Sequence, residues 1–337
     1  MKKSLLALAV LGAFASAASA QSSVTLSGSV DAGIKAKGSD YSLGGSQSGY
    51  NAITFAGKED LGGGMNAFFV LNHRFTINNG AVNSTSPTFW RNSFVGLGGG
   101  FGDVRMGRML MPLQEMNGGF DAFDTGYAGG THTGGLMATV RANNAVYYRS
   151  PSFSGLTFHA AIAAAEGQYI QETSGTFAAG GAGYSIPTAT LNKERPQGVS
   201  GRYAAGPVNV GIAWDKNTGD YDTWGVYGSY DFGFMKLFGQ WESGDLNTAS
   251  GTSATKEGVD VWSISTKIPM GAFMWKVGYV SVMSDKANGD AYKFGVGGEY
   301  SLSKRTSLYS NIGQAGGDRA SSSDKDVRFD LGITHRF

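Results

Sequence analysis

The chain has 337 residues, with 27 basic and 26 acidic side chains, 53 glycines, 7 prolines and no cysteine. The near-even charge argues against a nucleic-acid partner, which selects a basic excess. Without cysteine there are no disulfides and no thiolate metal site. At 41% hydrophobic residues the chain is not disordered, and its glycines follow no three-residue period.

Residues 1–20 read as a secretory signal peptide. Lys2 and Lys3 form a basic start, Leu5 to Phe14 an apolar core, and Ala18-Ser19-Ala20 a small-x-small cleavage site ahead of Gln21. The mature chain, 21–337, is expected outside the cytoplasm. After the leader no run of about 18 apolar residues occurs, so no helix long enough to span a membrane is expected. Short alternating segments separated by glycine-rich turns follow, the mark of strands.

The expected strands are 24–35, 50–60, 65–76, 88–97, 103–108, 142–149, 156–164, 198–205, 208–215, 221–230, 235–243, 259–267, 273–281, 291–300, 306–314 and 327–337, sixteen in all. Val208, Val210, Ile212 and Trp214 oppose Asn209, Gly211, Ala213 and Asp215, and Phe273, Trp275, Val277 and Tyr279 oppose Met274, Lys276 and Gly278. Short connections such as 61–64, 98–102, 150–155 and 231–234 alternate with long polar ones at 36–49, 77–87, 109–141, 165–197, 216–220, 244–257, 283–290 and 315–325. That regularity predicts an up-and-down meander with turns at one end and loops at the other. The last strand runs to the terminal residue, with Phe329, Leu331, Ile333, His335 and Phe337 on one face and Arg328, Asp330, Thr334 and Arg336 on the other.

Strands of about ten residues have the span of a tilted membrane strand. A barrel of sixteen is too wide to fill with side chains and holds water. The polar rows are therefore expected inside and the apolar rows in lipid, in a sheet that must close because lipid satisfies no edge strand. Trp214, Tyr230, Trp241, Trp262, Trp275, Tyr300 and Phe337 lie near strand ends, as interfacial girdles do.

Five stretches carry a family resemblance: SSVTLSGSVDAGI at 22–34, GKEDLGGGMNAFFVL at 57–71, RNSFVGLGGGFGDVRMGR at 91–108, RANNAVYYRSPSFSGL at 141–156 and YSLSKRTSLYSNI at 300–312, with the final Phe337. In order and spacing they resemble the sixteen-stranded trimeric general porins of Gram-negative bacteria, in their β-proteobacterial branch. The resemblance implies an all-β transmembrane barrel of the outer membrane and a water-filled channel for passive diffusion of ions and small hydrophilic solutes. It implies a homotrimer, contacts with outer-membrane lipid and lipopolysaccharide, and Phe337 as an assembly signal read by the barrel-insertion machinery. No cofactor or metal is expected.

The long connection 109–141 matches the family's third loop, which folds inward and narrows the pore. It carries Glu115, Asp121 and Asp124. The family sets arginines on the wall opposite, and Arg91 and Arg141 fall on two of those positions; the third is Ala52 here, and Asn72 replaces an acidic residue of some relatives. A less charged constriction with at most weak anion preference is expected. The facing of Arg74, Arg105 and Arg108 stays open. Among rival classes, an enzyme lacks its motifs: there is no G-x-S-x-G, H-E-x-x-H or P-loop. His159 on a strand leaves an outer-membrane lipase conceivable, and a barrel without conductance is a further alternative. A substrate-specific channel of the same fold is the nearest.

Overall fold

The computed structural model describes residues 22–45, 51–82, 89–124, 126–131, 141–164, 195–216, 222–247, 256–284, 290–318 and 325–337, the side chains at 245–247 and 256–257 excepted. The leader expected over 1–20 lies outside these residues. The strands are β1 (Ser23–Lys37), β2 (Asp40–Gly44), β3 (Asn51–Gly62), β4 (Met65–Phe75), β5 (Trp90–Gly99), β6 (Gly102–Leu110), β7 (Arg141–Arg149), β8 (Leu156–Ala163), β9 (Gln197–Ala205), β10 (Val208–Lys216), β11 (Asp222–Asp231), β12 (Lys236–Asn247), β13 (Lys256–Met270), β14 (Phe273–Ser284), β15 (Ala291–Ser301), β16 (Thr306–Gly317) and β17 (Arg328–Arg336). A short helix, α1 (Pro112–Asn117), follows β6.

Each strand pairs antiparallel with its neighbours in one sheet. The sheet closes because β1 pairs with β3 on one side, from Ser23↔Lys58 to Ser29↔Ala52, and with β17 on the other, from Ser29↔Arg336 to Lys37↔Arg328. β2 and β3 lie end to end along the same side of β1, so the wall has sixteen staves. The sequence pattern predicts a loop over 36–49, but Gly38-Ser39 makes a two-residue hairpin turn, with Gly38 at φ +57°, and folds Asp40–Gly44 back onto Gly33–Lys37. The β12–β13 hairpin also runs past its expected ends, pairing on from Gly244↔Val259 to Asn247↔Lys256.

The two faces divide as alternation requires. Val24, Leu26, Val95, Met106, Ile212, Trp224, Ile264 and Leu331 stand exposed on the outside, Val24 at 71%. In water such a belt would be an aggregation surface; in lipid it is the stabilising face. Trp224, Trp241, Trp262, Trp275, Tyr292 and Tyr300 are exposed on the outside of β11–β15, whereas β1 offers Val24, Leu26 and Ile34, and β17 Phe329, Leu331 and Ile333. The exposed tryptophans are thus confined to β11–β14 among the described residues. At the end of the closing seam Gly28 donates its N–H to the Phe337 carbonyl at 2.9 Å, and Phe337 donates to the Gly28 carbonyl at 3.1 Å. A Cβ on Gly28 would stand 2.7 Å from the Phe337 ring, so the missing side chain makes room for the terminal aromatic.

Candidate functional site: an inward loop opposite an arginine wall

The described part of the third loop, residues 111–124 and 126–131, lies inside the barrel along the inner wall. Pro112 at the start of α1 tolerates the missing N–H there. The helix buries Leu113 and Met116, which with Phe120 pack on Ala213 and Tyr227 of the wall. Polar groups then fix the loop strand by strand. The Leu113 N–H donates to the Asp215 carboxylate of β10 at 3.2 and 3.3 Å. Asn117 donates to Glu242 of β12, which also accepts the Tyr227 hydroxyl at 2.8 Å. Gln240 donates to the Phe120 carbonyl at 2.6 Å, and Ala122 N–H to the Ser265 hydroxyl of β13 at 2.9 Å. Lys293 of β15 donates to the Tyr127 carbonyl at 3.2 Å, and Ala128 N–H to Asp330 of β17 at 3.0 Å.

The approach is closest where the wall has no side chain. A Cβ on Gly295 would stand 2.7 Å from the Cα of Gly129, and one on Gly313 would run into the Ala128 carbonyl. At the tip, the Tyr127 ring lies between Lys35 of β1, at 5.1 Å, and Arg328 of β17, at 5.7 Å. Burial pushes the Tyr127 phenol above its ordinary value against the opposing pull of Arg328, which keeps the ring a neutral cation–π partner.

The described loop residues line the lumenal side from Tyr147 of β7, which Glu115 reaches, round to β17, with β3–β6 and the start of β7 opposite. Arg91 is the extra residue of a bulge, since Asn72 pairs with Asn92 and His73 with Trp90. Bulges re-aim side chains in this way beside functional sites. Arg141 at the start of β7 donates to Asn92 at 2.9 Å, which brings it against that bulge. A second irregularity, between Gly107 and Met109 on β6, holds Arg108, which donates to Asn143 at 2.7 Å. Asn72 donates to Thr54 at 2.7 Å on the lumenal rows of β4 and β3. Arg74, two residues further along that row, stands directly opposite Ala52. Arg105 lies over the rings of Phe94 and Tyr147, at 5.6 and 5.2 Å, and pairs with Asp103 at 2.7 Å.

The three acidic loop residues have different settings. Asp121 is buried and accepts both the Thr131 hydroxyl, at 2.7 Å, and its N–H, at 3.3 Å, so its carboxylate braces the loop's own fold. Asp124 is exposed, at φ +54°. Glu115 accepts the Tyr147 hydroxyl at 2.5 Å and lies 3.9 Å from His159, whose Nδ1 is 2.7 Å from the same hydroxyl. On the turn side of the loop the lumen opens into a vestibule of about 850 Å³ lined by Lys58, Asp103, Glu115, Arg149, His159 and Arg202.

The structure therefore brings Arg91, Arg141 and Asn92 together and places Arg74 beside them on the same wall. Asp121 lies with its carboxylate turned into the loop. The wall groups that dock the loop, Asp215, Glu242, Gln240, Ser265, Lys293 and Asp330, were not singled out from sequence. Their one signal is a polar or charged residue on the inward-facing row. That shows a lumenal position but not its partner.

A Gram-negative porin family model matches residues 7–320. An outer-membrane porin protein 32 of Delftia acidovorans is 32% identical and an outer-membrane porin of Bordetella pertussis 29% identical, each over 100% of both chains. The structure of an anion-selective porin from Comamonas acidovorans superposes with a TM-score of 0.76 at 26% identity, covering 94% of this chain and 100% of that one. OmpT of Vibrio cholerae, in its trimer form, shares the fold with a TM-score of 0.67 at 15% identity, over 94% of this chain and 99% of that one. Closed barrel, lipid-facing belt, polar interior and family match agree: this chain belongs to the Gram-negative porins, outer-membrane channels rather than enzymes.

Proposed function

We propose that ions and small hydrophilic solutes pass between the inward loop and the arginine-bearing wall β4–β7, and that this gap is the narrowest part of the channel. The observation that carries the reading is the one-sided docking of the described loop residues, from Asp215 on β10 round to Asp330 on β17, across the barrel from Arg74 and from the buried Arg91 and Arg141. Fixed charges on low-dielectric walls focus their field across a narrow aqueous gap. Solutes enter favourably and leave quickly because no site holds them tightly. Arg74, cross-strand from Ala52, supplies the third cation that position 52 lacks. Asp124 is the carboxylate facing the gap, with Glu115 below it, while Asp121 stabilises the loop. A net preference for anions follows, in line with the name of the Comamonas relative.

Reversal potentials in a salt gradient test this. Replacing Arg91 and Arg141 together with serine should shift the potential toward cations, and Asp124→Asn toward anions. Both shifts should grow at low salt, where the Debye length reaches roughly 30 Å at 0.01 M. If both variants keep the parent's potential and conductance, the gap lies elsewhere.

The same proposal has residues 1–20 removed on export, both ends of the mature chain on the periplasmic side, and lipid and lipopolysaccharide around the tryptophan-bearing side of the barrel. Three copies pack through the side formed by β16, β17, β1 and β3, which exposes no tryptophan, as closed symmetry suits identical barrels. An unheated gel showing only monomer would contradict the assembly.

A further inference from the structure

Three lysines stand side by side on the inner wall, on the turn side of the docked loop. Lys236 of β12 is directly opposite Lys267 of β13, and Lys267 is directly opposite Lys276 of β14. Their rows face the lumen: Lys276 alternates with exposed Trp275 and Val277, and Lys236 is two residues from Phe238, which packs under Ala122 and Phe123 of the loop. With strands spaced about 4.8 Å apart, the row spans roughly 10 Å. Like charges set directly opposite one another destabilise a sheet. Stability therefore does not account for three in line.

Local carboxylates compensate the row only in part. Lys276 pairs with Glu299 at 3.0 Å, and Glu299 also accepts the Ser307 hydroxyl at 2.6 Å. Lys236 and Lys267 are not ion-paired with any described carboxylate; instead their ammonium groups lie over the Phe238 ring, at 5.4 and 5.6 Å. Asp231 is opposite Lys236 in register but accepts the Gly233 N–H at 2.8 Å. Asp121 is held by Thr131. The row thus keeps two closely spaced cations on the passage side, backed by an aromatic ring and fixed by strand register.

We propose that Lys236 and Lys267, flanked by Lys276, form a binding site for a phosphate group in the lumen, separate from the arginine wall. Two adjacent ammonium groups match a compact dianion. Lysine binds phosphate as a rotatable point charge, without the fixed bidentate fork of arginine. Neither lysine has been placed in the gap between loop and arginine wall. The inference rests on reading the lumen as an aqueous passage.

The test is chloride conductance of the purified, natively assembled protein in planar bilayers, with inorganic phosphate or glycerol phosphate added at constant ionic strength. In the parent, phosphate should reduce the current at concentrations where added chloride does not. Replacing Lys236 and Lys267 together with glutamine should raise the half-inhibiting phosphate concentration about tenfold, a loss of about 1.4 kcal/mol. Removing repulsion leaves folding intact, which native-gel migration checks. Serine at Arg91 and Arg141 should move the reversal potential but leave phosphate inhibition in place. Inhibition by inorganic phosphate alone would assign the site to the free ion, and inhibition by both to any phosphate monoester of that size. A parent current insensitive to both, or a glutamine variant inhibited as the parent is, would overturn the site. A parent with no conductance at all would instead sink the channel reading.

Discussion

Replacing Gly295 with alanine should loosen the loop tip, and the structure says by how much. The new Cβ would stand 2.7 Å from the Cα and 2.8 Å from the carbonyl carbon of Gly129. An ordinary carbon–carbon contact is about 3.5–4.0 Å, so the tip must retreat from the wall by about 1 Å. Ala128 N–H is 3.0 Å from Asp330 and Lys293 Nζ is 3.2 Å from the Tyr127 carbonyl; a 1 Å retreat takes both beyond hydrogen-bond range. Each buried group left unsatisfied costs about 1–3 kcal/mol, so the docked state loses about 2–6 kcal/mol. Every 1.4 kcal/mol is about tenfold in population. A tip that is docked nearly always in the parent should exchange between positions in the variant. The retreat is toward the gap, so mean single-channel conductance should fall and open-channel noise rise. Gly228→Ala is the control, because its Cβ would meet only Val210, at 3.9 Å. A Gly295→Ala channel with the conductance and noise of the parent would refute the claim that wall glycines admit the loop backbone.

Deleting Phe337 removes two backbone hydrogen bonds to Gly28 and the ring covering it. On the expectation that Phe337 is also read as an insertion signal, outer-membrane levels should drop further than the loss of about 1 kcal/mol per hydrogen bond implies; unchanged levels would argue against that role. Single cysteines placed in 244–257 should react with an impermeant reagent on intact cells and those in 231–234 should not, and the opposite pattern would invert the barrel. Exchanging Tyr127 for leucine should keep the loop's hydrogen bonds but lose the cation–π contacts with Lys35 and Arg328, so heat-induced unfolding on gels should begin at lower temperature; an unaltered transition would make the ring dispensable.

The barrel was legible because its information is local. Alternation along each strand, as in Val208 to Asp215, names both the element and its two faces, and every expected strand occurs within a few residues of its expected ends. The Gly38-Ser39 turn was missed although Gly-Ser is a recognised hairpin signal, because the five residues after it are few beside the long connection containing them. The site was legible only in outline. Arg91 and Arg141 follow from family position, but the bulge that aims Arg91 depends on which residue of β4 pairs with which of β5. The different settings of Asp121 and Asp124, three residues apart, are decided by Thr131 and by the path of the loop. The lysine row has no sequence signal at all: residues 236, 267 and 276 become neighbours only through register.

The tip of the inward loop lies across the seam between the first and last strands. Lys35 and Asp330 pair across that seam, Asp330 holds Ala128, and Tyr127 touches Lys35 from one strand and Arg328 from the other. The final anchors of the loop therefore do not exist until the last strand has met the first. During assembly the anchors on β10–β15 do not depend on closure, whereas the step that completes the cylinder also completes the seat of the loop tip. In the finished protein the dependence runs both ways. Prising the seam apart requires the tip to let go, so the inward loop also acts as a clasp against reopening.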